Sequence, residues 1–76
     1  MTQNQEQHVG HVVAFDFHAG LGEIRDEQGR VWPFHCVSLS DGSRSIDIGT
    51  HVKFIVRFHV QRDEAFDITP TIHSNP

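Results

Sequence analysis

The stretch Ala19-Gly20-Leu21-Gly22-Glu23-Ile24, followed by Trp32-Pro33-Phe34-His35-Cys36, decides how this 76-residue chain is read. From Leu21 to Asp26, the residues Leu21, Glu23 and Arg25 alternate with Gly22, Ile24 and Asp26. That period of two is the mark of a strand with two unlike faces. Asp26-Glu27-Gln28-Gly29 then supplies a turn, with Gly29 available for positive φ, and joins this strand to Val31–Cys36 as a hairpin. Pro33 cannot donate to a ladder, so the strand that carries it must present that position at an edge or a bulge.

Outward from this hairpin the pattern repeats. Val9 to Phe15 is a Val-rich strand closed by the polar Asp16. After the hairpin, Ser38 to Asp47 carries Asp41-Gly42-Ser43 and is too long for a tight turn and too polar for a buried helix, so it is expected to cross as a loop. From Thr50 to Phe58, Val52, Phe54, Val56 and Phe58 alternate with His51, Lys53, Arg57 and His59, interrupted by Ile55. Gln61-Arg62-Asp63 turns the chain into a short last strand, Glu64 to Ile68. No segment keeps a helical period, and no internal repeat is present. Many short strands with regular turn signals predict an all-β barrel or sandwich over residues 8–70, and a barrel spares so small a sheet its exposed edges. Residues 1–7 and 71–76 are polar and aperiodic and are expected to be disordered tails.

Composition sets limits on function. A chain this short buries only about 60% of the surface its unfolded form exposes, so the core must be thin. Ten acidic residues against six basic ones give a formal charge of −4, which repels a phosphate backbone. The seven histidines can reverse this, since protonating all of them moves −4 to +3, and an unperturbed imidazole titrates at about 6.5. The single cysteine, Cys36, can form no internal disulfide and has no second thiol for a zinc site. No apolar run approaches the roughly 20 residues that span a bilayer, and the amino terminus lacks a basic-then-apolar signal. A soluble, cytoplasmic monomer without membrane association is expected.

The chain resembles the cold-shock domain family, whose members are five-stranded OB-type barrels that bind single-stranded RNA and DNA. Gly10-His11-Val12-Val13-Ala14-Phe15-Asp16 is similar to the family's first strand, Gly-x-Val-Lys-Trp-Phe-Asn. Ala19-Gly20-Leu21-Gly22-Glu23-Ile24 is similar to its first ribonucleoprotein-type motif, Lys-Gly-Phe-Gly-Phe-Ile, and Trp32-Pro33-Phe34-His35-Cys36 to its second, Val-Phe-Val-His-Phe. The resemblance runs from about Gly10 to Ile68. It implies a five-stranded antiparallel OB-type Greek-key barrel, with Gly20, Gly22, Val12, Ile24 and Phe34 serving the scaffold.

The same alignment implies an altered ligand face. The stacking rings of the family are replaced by Ala14, Leu21, Glu23, Pro33 and Cys36, and the lysines before the motifs by Val13 and Ala19. Only His35 remains as a ring. A base stacked on an aromatic ring is worth about 1–3 kcal/mol, so losing three stacks removes about 3–9 kcal/mol, against the roughly 5–8 kcal/mol that holds a nonspecific complex. Weak, nonspecific binding of single-stranded nucleic acid is therefore expected, and the alternative is a protein-interaction module that uses the emptied face of Ala14, Leu21, Pro33 and Cys36.

Candidate contacts follow from what remains. His35 is the family's ligand-face histidine, although a lone histidine is also an ordinary solvated residue. Arg25 and Arg30 are the best phosphate contacts available. Phe17-His18 and Phe58-His59 lie where loops flank the ligand groove of OB barrels and could form a displaced stacking platform, while burial is the plainer use of each Phe. Trp32 is read as core, and Cys36 as a packing or surface residue rather than a redox centre. His8, His11, His18, His35, His51, His59 and His73 show no zinc-like spacing. Glu23 and Asp67 are the only carboxylates expected near the groove, with no nucleophile or phosphate cradle beside them, so neither catalysis nor a cofactor is expected.

Overall fold

The computed structural model describes residues 7–59 and 62–71, and of Phe58, His59 and Arg62 only the backbone. Of the tails expected at 1–7 and 71–76, residues 1–6 and 72–76 lie outside the described residues, as does Gln61 of the expected last turn, while Thr71 N–H donates to the His51 carbonyl at 2.8 Å. Five strands form one antiparallel sheet: β1 (His8–Asp16), β2 (Leu21–Asp26), β3 (Val31–His35), β4 (His51–His59) and β5 (Arg62–Pro70), in the order β3-β2-β1-β4-β5. A three-strand meander with the fourth strand returning beside the first is a Greek key. Among the described residues no helix is long and apolar enough to cross a membrane.

The alternation legible in β2 is realised residue by residue, with Gly22, Ile24 and Asp26 buried and Leu21, Glu23 and Arg25 exposed. Val12, Ile24, Trp32, Phe34, Leu39, Val52, Phe54, Ala65 and Ile68 form the core. Ile55, the residue that interrupts the fourth strand's period, is buried, and the β4–β5 register shifts between Lys53 and Ile55. A second shift, between Val12 and Ala14, leaves Val13 as the extra residue of β1 opposite β2. Such irregularities sharpen twist and let a small sheet coil around its own core.

The sheet coils but does not close. β3 and β5 are its two edges, and where they meet, the chain beyond β3 makes the join: Leu39 and Ile68 form a single parallel bridge, and Ser40 N–H donates to the Ile68 carbonyl at 2.8 Å. The Ser40 and Thr69 hydroxyls add a hydrogen bond at 3.0 Å. Pro33 has no N–H to offer a further strand, which fits its place on an edge. β3 also ends one residue earlier than expected, because Cys36 opens a 3-10 turn, Cys36–Ser38, and donates its N–H to the Gly20 carbonyl at 2.7 Å. The strand therefore has little length from which to build a ladder.

Two local devices hold the β2–β3 hairpin. Gly22 leaves room for Phe34, since a Cβ there would lie 2.5 Å from the Phe34 ring. At the turn, Asp26 Oδ1 accepts the N–H groups of Gln28 (2.8 Å) and Arg30 (3.0 Å), while Oδ2 accepts the Trp32 indole N–H at 2.9 Å. The Trp32 bond, with help from the two backbone donors, holds the Asp26 carboxyl below its usual pKa despite the opposing effect of burial. Trp32 is core, as expected, and anchored through its one polar atom.

Candidate nucleic-acid interface

Residues directly opposite each other across an antiparallel pair project to the same face. The register therefore assembles the outer face of the sheet in rows. At one end, His35, Leu21 and Asp16 lie side by side on β3, β2 and β1. The next row is Pro33, Glu23 and Ala14. Beyond it, Val31, Arg25, His11 and His51 run across four strands, and Val9, Lys53 and Thr69 follow on β1, β4 and β5. The positions that the resemblance marks for stacking rings thus carry an aliphatic and acidic surface, and the cations gather at the other end.

The structure separates the candidate contacts. His35 is exposed at the end of β3; its Nδ1 accepts the Val37 N–H at 3.3 Å, which assigns the ring proton to Nε2. Arg25 is exposed two outward positions along β2 from Leu21. Arg30 does not join them. Its guanidinium lies 4.3 Å from the centre of the Trp32 ring and covers the end of the core, on the side of the sheet opposite Arg25. Phe17 is 64% exposed in the β1–β2 loop, where its ring meets His18 edge-on at 6.1 Å. This loop borders a groove shared with Gly20, Cys36, Val37 and Arg44. The side chains of Phe58 and His59 lie outside those described.

Cys36, assigned from the sequence to the emptied face, is instead half-buried against the core at the start of the 3-10 turn, because the chain leaves the sheet there. Three cationic or titratable side chains on the outer face, His11, His51 and Lys53, were not among the expected contacts. The alternation of β4 marks His51 and Lys53 as outward-facing. Their meeting with Arg25 depends on the β1–β4 register, which no local pattern reveals. The His11 and His51 rings are 5.9 Å apart. Among the described residues, His, Cys, Asp and Glu form no group of three that could hold a metal ion.

No protein-family model and no curated protein matches the chain. Among solved structures it superposes on drosophila Unr CSD456, with a TM-score of 0.75 and 27% sequence identity, over 91% of this chain and 28% of the Unr chain. The chain is a cold-shock-like domain. It spans about a quarter of the Unr chain's length, so the likeness concerns one domain of that larger molecule. In this cold-shock-like domain, Ala14, Leu21, Glu23 and Pro33 line a shallow groove with Phe15, Asp16, Gly22 and Phe34. Phe15 and Phe34 sit there as a stacked pair at 6.0 Å, packed with the core rather than spread outward as a platform.

Proposed function

We propose that this cold-shock-like domain binds single-stranded nucleic acid, RNA or DNA, weakly and with little base preference, and catalyses no reaction. The observation that carries the reading is the outer face itself, in which a cold-shock-like fold brings His35, Leu21 and Arg25 onto one solvent-facing surface beside the exposed Phe17-His18 loop. His35 and Phe17 offer rings for stacking, and Arg25 a charge for phosphate. Asp16 and Glu23, standing between these groups, oppose a polyanion and keep binding weak. The same two carboxylates beside Leu21, Pro33 and Ala14 favour a second reading, a docking face for a protein segment with basic and apolar side chains.

Chemical-shift mapping with a short pyrimidine-rich strand distinguishes them. Perturbations at His35, Leu21 and Arg25 are expected, growing as pH falls from about 7.5 to about 6 and imidazoles gain charge. No perturbation around His35 at either pH sinks the nucleic-acid reading. Cross-linking that recovers a protein bound over Leu21 and Glu23 would instead support the second.

A further inference from the structure

The row of cations at the far end of the outer face lies apart from the positions that the resemblance marks for base stacking. We propose that Arg25, His11, His51 and Lys53 form a phosphate-binding strip, and that the His11–His51 pair makes the domain's affinity for a single strand respond to pH. This rests on the nucleic-acid reading above and adds to it the place where the backbone is held.

The register aligns Arg25 with His11, and His11 with His51, across three adjacent strands about 4.8 Å apart. Lys53 lies on the same face of β4, one outward position from His51. Arg25 and Lys53 thus flank two imidazole rings whose centres are 5.9 Å apart. A phosphate seated across the row meets the fixed charges of Arg25 and Lys53 and gains from each imidazole that carries a proton. Phosphate binding and proton uptake are thereby linked: each favours the other.

The surroundings leave the strip open to such a ligand. β3 contributes only Val31 to the row, and β5 offers Thr69 beside Lys53. The carboxylates nearest in the register are Glu23, one outward position from Arg25 on β2, and the exposed Asp67 on β5. Asp47 ends the connection to β4, where its carbonyl accepts from Thr50 N–H and Oγ1. Among the described residues, no carboxylate is paired in register with His11, His51 or Lys53.

The test is fluorescence anisotropy with a short labelled oligothymidylate at pH about 7.5 and about 6, using the unsubstituted protein, H11Q/H51Q, H11K/H51K and His35→Ala, with Trp32 emission confirming the fold of each. The unsubstituted protein should bind about tenfold more tightly at the lower pH. H11Q/H51Q should lose most of that gain. Its slope of log affinity against log salt at pH 6 should fall by about 1.4, from two phosphate contacts at about 0.7 each. H11K/H51K should bind at pH 7.5 as the unsubstituted protein does at pH 6, which decides the matter should the glutamine variant fail to fold. If H11Q/H51Q retains the whole gain and His35→Ala abolishes it, the strip is overturned while nucleic-acid binding stands. If the unsubstituted protein binds at neither pH, both fall.

Discussion

Asp26 satisfies three donors with two oxygens, and only a carboxylate can do so, because both oxygens must accept. Asp26→Asn keeps one acceptor and turns an amide NH2 toward a donor, so it should cost about 1–3 kcal/mol in urea unfolding. A melt matching the unsubstituted protein would contradict this role. Acid should act through the same site. The folded-state pKa of Asp26 is lowered, so its stabilisation is fully present above the unfolded value of about 3.9 and is lost as pH falls through the folded value. Trp32 is the only tryptophan and donates directly to this carboxylate, so its emission should follow that loss. Gly22→Ala probes the other hairpin device: with the Phe34 ring 2.5 Å from the new Cβ, a destabilisation of about 1–3 kcal/mol is expected by thermal or urea melt. The alternation of β2 put both residues on the buried side. That Asp26 bonds Trp32 six residues on was not legible, since it depends on how the hairpin stacks its two strands.

Among the elements, β1 is hydrogen-bonded on both sides, to β2 and β4, while β3 and β5 each pair on one side only. Amide exchange should therefore be slowest in β1 and faster on the free edges of β3 and β5, apart from Ser40, whose N–H is held by Ile68. Protection of the β3 edge equal to that of β1 would indicate a closed ladder instead. Four of the five strands lie within one residue at each end of where alternation and turn residues put them; β5 runs two residues further at each end, through Arg62–Pro70, because its pairing with β4 extends past the last clear alternation. Ile55 read as an interruption of period two; it is buried, and beside it the pairing with β5 shifts, with Asp67 and Ile68 opposite Phe54. The open seam was hidden, because edge-to-edge contact between β3 and β5 is set by how far the sheet coils. Cys36 was misassigned to the outer face for a related reason: the strand pattern continues through it, but the chain turns to reach Gly20 and then Leu39.

At the scale of the molecule, the charges of the outer face are unevenly spread, with Asp16 and Glu23 toward the His35 end and Arg25, His11, His51 and Lys53 toward the other. The candidate site was half legible: His35, Arg25 and the exposed Phe17-His18 pair came from motif and loop position, whereas the histidine pair appears only when β4 is laid beside β1. If the proposed binding is weak because the stacking rings are gone from a cold-shock-like scaffold, putting rings back should strengthen it. The affinity of L21F/E23F for a short pyrimidine-rich strand, measured at fixed salt and pH against the unsubstituted protein and a Glu23→Gln control for the lost charge, tests this most directly. Each ring should add about 1–3 kcal/mol, a gain of tenfold or more over the Glu23→Gln control for the pair; a folded double variant that binds no more tightly than that control would contradict the account.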